Sequence, residues 1–199
     1  MSKIYSYTSL AQPKEGSSHP SPTVSSEYTL HTLPRGAEVG VVLHRIFERI
    51  FSEELEPKEI VSEEALFGSL TDWEQPLQDL VQSVLQLPFL RECELVRTEV
   101  EFLFSRESDY IKGFIDLLLI WKGKLYFLDW KSNWLGVDDF AYTEEALRNA
   151  MDQNDYWLQS SLYKEALQRA FSNIPFGGAF YLFLRGIHSK SQGSIFTDG

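Results

Sequence analysis

Apolar residues recur along this chain in two rhythms, one of 3.6 residues and one of two. In "GAEVGVVLHRIFERIFSEELE", residues 36–56, Val39, Leu43, Ile46, Phe47 and Ile50 fall on one side of a helix. A second amphipathic segment, "DWEQPLQDLVQSVLQLPF", predicts another helix. Alternation takes over in "LVRTEVEFLFS", where Glu99 and Glu101 point one way and Val100, Phe102 and Phe104 the other. It continues in "GFIDLLLIWKGKLYFLDWKSNWLG", residues 113–136, with Lys122-Gly123 as the natural two-residue turn. A long helical stretch, "YTEEALRNAMDQNDYWLQSSLYKEALQRAFS", and a last strand, "GGAFYLFLRGI", complete the series. Hairpin strands that are apolar on both faces near their turn need cover on both sides. The expectation is a three-layer α/β/α domain, a mixed central sheet flanked by helices.

Ahead of these elements the pattern fades. Residues 11–27, "AQPKEGSSHPSPTVSSE", are rich in Pro and Ser and read as a flexible linker. Residues 1–10 are then either docked on the main domain or the stump of a preceding one, and 28–199 form the folded domain. A length of 199 residues suffices for one domain with a substantial core. The single cysteine, Cys93, excludes an internal disulfide framework and a four-cysteine zinc or iron–sulfur site, and reads as a small, at least half-buried thiol. No apolar run approaches the ~20 residues of a membrane span and no signal peptide is visible, so a cytoplasmic protein without membrane contact is expected. The formal net charge of −11 speaks against broad nucleic-acid binding. Much of that excess sits in residues 48–66, "ERIFSEELEPKEIVSEEAL", most of which reads as a solvated acidic surface. No G-x-x-x-x-G-K-[ST] loop occurs, so no ATP site is expected in this chain.

The charges inside the hairpin are out of keeping with its apolar setting. Counted outward from the turn, Trp121 pairs with Lys124, and five steps on Asp116 faces Asp129. Cross-strand partners have Cβ atoms about 4.5–5.5 Å apart, so two like charges there are unfavourable unless a cation lies between them. Two carboxylates converging in this way make an oxygen-ligand site for Mg²⁺ or Mn²⁺. Alternation sets Lys131 on the face of Asp129 and turns Trp130 to the other, with Ile115, Leu117, Leu119, Tyr126 and Leu128. An Asp-x-Lys alone is usually a solvated ion pair worth ~0–1 kcal/mol. The opposed Asp116 sets this one apart.

These same residues carry a resemblance. "GFIDLLLIWKGKLYFLDWKSNWLG" closely resembles the nuclease motif of the RecB family, within the PD-(D/E)xK nuclease superfamily. "PRGAEVGVVLHRIFE" resembles the family's upstream G-h-h-h-H-x-h-h-E motif, with Gly40, His44 and Glu48 in place. "TEVEF" resembles the strand that carries a further acidic residue, Glu99, and "LQSSLY" supplies a Q-x-x-x-Y motif as Gln159 and Tyr163. "GAFYLFLRG" is similar to the family's closing strand, and the likeness spans about residues 33–187. It implies a restriction-endonuclease-like fold and Mg²⁺-dependent hydrolysis of phosphodiester bonds in single- and double-stranded DNA, with Mn²⁺ or Ca²⁺ able to replace Mg²⁺ in binding. It further implies the nuclease module of a RecBCD-type helicase-nuclease, of the exodeoxyribonuclease V type, acting in double-strand-break repair and recombination. RecC, RecD and the RecB helicase domains would be its partners. Two positions depart from the usual pattern: Trp130 stands where Tyr is common, and Asn154 where a His often precedes the Q-x-x-x-Y motif.

The resemblance implies a role for each residue. Asp116 and Asp129 would be metal ligands, with the backbone carbonyl of Trp130 as a third oxygen and His44 ligating through a neutral ring nitrogen. Glu48, one turn from His44, would orient that ring or simply begin the acidic surface. Lys131 would hold the attacking water and stabilise charge growing on the phosphate. Glu99 would reach the site through water. Gln159 and Tyr163, four apart on a helix, would sit over the site holding DNA or Lys131, and Arg185 is a candidate phosphate contact. Two rival readings stand beside this one. A catalytically inactive nuclease fold with a structural or DNA-guiding role should have lost Asp or Lys residues that are all present here. A stand-alone site-specific endonuclease should carry a target-recognition domain, and none is visible.

Overall fold

A computed structural model describes residues 4–6, 27–106, 109–187 and 195–198. Of the expected linker at 11–27, only Glu27 lies within the described residues. The amphipathic segments form helices α1 (Ala37–Ser52), α2 (Pro57–Phe67), α3 (Glu74–Leu85) and the single turn α4 (Pro88–Arg91). Strand β1 (Ile4–Ser6) precedes them, and β2 (Leu95–Arg106), β3 (Asp109–Trp121) and β4 (Lys124–Lys131) follow. Helices α5 (Glu144–Gln153) and α6 (Tyr156–Ala170) cross over to β5 (Phe176–Phe183), and β6 (Ile195–Asp198) closes the described chain.

The sheet is mixed. Strand β3 pairs antiparallel with β2 along one edge, while its other edge takes β4 near the turn and the parallel strand β1 further back. Strand β4 pairs parallel with β5, which pairs antiparallel with β6. One face buries Leu117, Leu119, Leu128 and Trp130 under α1, α2 and α3; the other buries Ile115, Leu118, Phe127 and Tyr181 under α5 and α6. That is the expected α/β/α sandwich. The hairpin turn falls on Lys122 and Gly123, both with positive φ (51° and 70°), as a twisted two-residue connection requires.

Two expectations need correction. The stretch expected as one long helix breaks after Gln153, where Asp155 turns left-handed (φ 55°) and α6 restarts at Tyr156. The acidic run is mostly exposed as expected, but α2 turns Glu64 inward to 0% exposure, where Arg45 and Arg49 reach it at 3.1 and 3.0 Å. Ile115 packs on the face opposite Leu117, against simple alternation. Strand β2 makes the same change of face, with Val96 on one side and Val100 on the other. Both slips fall where the pairing of β2 with β3 lapses, between Thr98↔Leu117 and Val100↔Ile115. Glu99 occupies that gap with a left-handed φ of 46°, and Asp116 lies opposite it. The kink therefore sits at two candidate site residues.

Candidate active site

Asp116 ends one ladder and begins another kind of contact. The register of β3 on β4 runs as expected from Trp121↔Lys124 to Leu117↔Leu128 and stops one pair short of Asp116 and Asp129. There the Asp116 Oδ2 accepts the backbone N–H of Trp130 at 2.8 Å, so a side chain replaces the strand's main-chain acceptor. The strands part, and both carboxylates open into one cleft of about 420 Å³. His44, Lys131, Gln159 and Arg185 line the same cleft.

Helix α1 brings His44 to this place. Gly40 lies close to the end of β4, where a Cβ would stand 3.0 Å from Ser132 Oγ. One turn later His44 Nδ1 stands 3.4 Å from Asp116 Oδ1. Burial pulls the His44 imidazole toward neutrality, but its bond to Asp116 and the charges of Asp116 and Asp129 outweigh this and raise its pKa to about 9. Phe47, almost one turn beyond His44, stacks on Trp130 at 4.3 Å between ring centroids, so the core-facing side of β4 is clamped to the same helix.

On the cleft side, Asp129 and Lys131 are 3% and 6% exposed and bonded to each other at 2.5 Å. Gln159 from α6 completes a triangle. Its Nε2 donates to Asp129 Oδ2 at 2.6 Å, and its Oε1 accepts from Lys131 Nζ at 2.9 Å. Tyr163 stands one turn further on, contacting Gln159 Nε2 at 3.2 Å and donating to the Phe114 carbonyl at 2.5 Å. Tyr163 thus anchors α6 to β3 just before Asp116. Desolvation raises the Asp129 carboxyl above the ordinary aspartate range, with the Asp116 charge adding to this and Lys131 opposing it. The Glu99 carboxyl is also raised, by burial first and then by the charges of Asp116 and Glu48.

Arg185 behaves unlike a free phosphate contact. It is 2% exposed, and its guanidinium donates to the carbonyls of Ser132, Leu30, Leu33 and Pro34 at 2.7–3.2 Å. It ties the chain ahead of α1 to the end of β4 and so supports the site. Burial lowers its pKa to about 10. Arg35, Trp134 and Tyr156, which residue pattern alone does not single out, also line the cleft. The Tyr156 ring lies 3.5 Å from Lys131 Nζ. Its place three residues before Gln159 on α6 was the available signal. Asn154 caps α5, and Cys93 is half-buried, its thiol donating to the Leu90 carbonyl at 3.1 Å.

Among the described residues, no three His, Cys, Asp or Glu side chains stand together as a ready metal cage. Each oxygen of Asp116 and Asp129 instead faces a protein donor: Trp130 N–H, His44, Lys131 or Gln159. The donor set still suits a hard divalent cation. It offers carboxylate oxygens with spare lone pairs and one imidazole.

Comparison with known proteins gives the same direction. The family model described as "PD-(D/E)XK nuclease superfamily" matches residues 24–198. The chain is 33% identical to the RecBCD enzyme subunit RecB of Escherichia coli K12, over 85% of this chain and 18% of that protein. It is 30% identical to the RecB subunit of Haemophilus influenzae, over 87% of this chain and again 18% of the relative. The chain therefore spans less than a fifth of the length of these relatives. Among the described residues no helix is long and apolar enough to cross a membrane.

Proposed function

Because this chain belongs to the PD-(D/E)XK nuclease superfamily, we propose that it is a metal-dependent deoxyribonuclease, the nuclease module of a RecBCD-type helicase-nuclease. One observation carries the reading: Asp116, Asp129 and Lys131 converge on a single cleft, with Gln159 bridging Asp129 and Lys131. In this reading Asp116 and Asp129 would hold Mg²⁺, together with the Trp130 carbonyl and His44. The bound ion would acidify a water and neutralise charge on the phosphate.

The remaining work belongs to the chain's own residues. Lys131, held by Asp129 and Gln159, presents its ammonium to the phosphate and stabilises charge that grows on its oxygens. Gln159 keeps the lysine in one rotamer, and Tyr163 keeps Gln159 in place. Glu99 and Glu48 add negative potential beside Asp116, which favours a cation there. Likeness to proteins named as RecB supports a setting in DNA repair, with RecC, RecD and helicase domains as partners and double- or single-stranded DNA as substrate.

The reading is tested by incubating this chain with single-stranded DNA in Mg²⁺, then in excess chelator, then with Mg²⁺ restored. Release of acid-soluble nucleotides should appear, vanish and return. Digestion that persists in the chelator, or none in Mg²⁺, would overturn the proposal.

A further inference from the structure

Two arginines and one lysine are among the described residues lining the cleft, and two of these three are committed. Lys131 is held by Asp129 and Gln159, and Arg185 by four backbone carbonyls. Arg35 differs from both. It is exposed at the lip, and no hydrogen bond or ion pair engages its guanidinium among the described residues. Its central carbon lies 3.4 Å from the centroid of the Trp134 ring. Trp134 is itself fixed, since its Nε1 donates to the His31 carbonyl at 3.1 Å.

This combination is unusual in a chain with 29 acidic and 18 basic residues, where a free surface arginine would readily find a carboxylate. A guanidinium laid against an indole keeps its N–H donors in its own plane, directed away from the ring. Stacking also removes much of the rotamer freedom that a ligand would otherwise have to freeze. Donors of this planar geometry match the paired oxygens of a phosphate. The same cleft holds the carboxylates and Lys131, so the ligand must be one whose other parts reach them.

Resting on the nuclease reading of this cleft, we propose that Arg35, braced on Trp134, grips a phosphate of the DNA strand next to the one that is cut. The contact is to the backbone and carries no base preference. It gives the strand a second point of attachment beside the residues that do the chemistry. Arg35 is therefore a substrate-binding residue, and its loss weakens binding without slowing the bound complex.

The test measures binding of a fluorescent single-stranded oligonucleotide to this chain by anisotropy, in chelator, across a range of salt concentrations. Cleavage in Mg²⁺ is followed in parallel. Arg35→Gln should reduce the slope of log K against log salt by about 0.7, the value for one phosphate contact on a single strand. It should weaken binding and raise KM about tenfold, with kcat held within about twofold. Arg35→Lys should keep the slope and lose part of the affinity. An Arg35→Gln protein of unchanged melting temperature with wild-type slope and KM would overturn the inference, as would a wild-type chain that fails to bind DNA. Lys131→Ala separates the two readings. If it abolishes cleavage while Arg35→Gln binds as wild type, only the phosphate grip fails. If it cleaves normally while Arg35→Gln loses the salt slope, the grip stands and the catalytic assignment fails.

Discussion

Gln159 and Lys131, 28 residues apart in sequence, are joined by a buried 2.9 Å hydrogen bond, and the same amide donates to Asp129 at 2.6 Å. One side chain thus sets the spacing of an acid and a cation at once. Gln159→Leu removes both bonds and leaves a buried ammonium and carboxylate each short of a partner, a loss of about 1–3 kcal/mol. Denaturant unfolding should show that loss, and DNA cleavage should fall about tenfold to a hundredfold because Lys131 is no longer held in one rotamer. Gln159→Glu should be worse for stability, since it sets a second carboxylate against Asp129.

Trp130 stacks on Phe47 at 4.3 Å and is 2% exposed. Truncation to Ala should cost about 3–5 kcal/mol in urea unfolding. Trp130→Tyr keeps an aromatic plane in the stack and should retain most of the stability and all of the cleavage. A Tyr variant that lost activity at full stability would mean that this ring does more than pack.

Glu64 lies at 0% exposure between Arg45 and Arg49, whose side chains are 53% and 17% exposed. The asymmetry decides which half of the cluster matters. Arg49→Ala leaves a buried carboxylate with one partner fewer, whereas Glu64→Gln leaves arginines that water can reach. Thermal unfolding should therefore rank Arg49→Ala below Glu64→Gln in melting temperature.

Glu99 holds a left-handed φ of 46° inside a strand, a conformation that costs a residue with a Cβ about 1–3 kcal/mol. Glu99→Gly should relieve part of that cost and raise the melting temperature relative to Glu99→Ala. Both variants should cleave DNA more slowly, because both remove a carboxylate beside Asp116. Equal stability of the two would show that the kink carries no strain.

Much of this arrangement could be read from the chain. Alternation and the Lys122-Gly123 turn predict the hairpin register, because both rest on local geometry that tertiary contacts did not override. The face of α1 that carries Val39, Leu43, Ile46 and Phe47 is buried as its spacing requires. The misreadings share a physical cause. Ile115 changes face because the backbone kinks at Glu99 and Asp116, and no residue type there announces a positive φ. Glu64 looks like one acid among many, and only the approach of α2 to α1 makes it a buried partner of two arginines. Arg185 reads as a cation ending a strand, while its role depends on carbonyls more than 150 residues away in sequence. Pattern and propensity describe elements; these cases turn on how elements meet.

Joint action of Asp116, Asp129 and Lys131 on a phosphodiester in one cleft underlies everything proposed for this chain. Its most direct test is the single-turnover rate of single-stranded DNA cleavage in Mg²⁺, compared between wild type and Asp116→Ala, Asp129→Ala and Lys131→Ala, with melting temperatures recorded for each. Every variant should lose about a hundredfold or more in rate while remaining folded. Cleavage by any folded variant at the wild-type rate would remove that residue from the reaction.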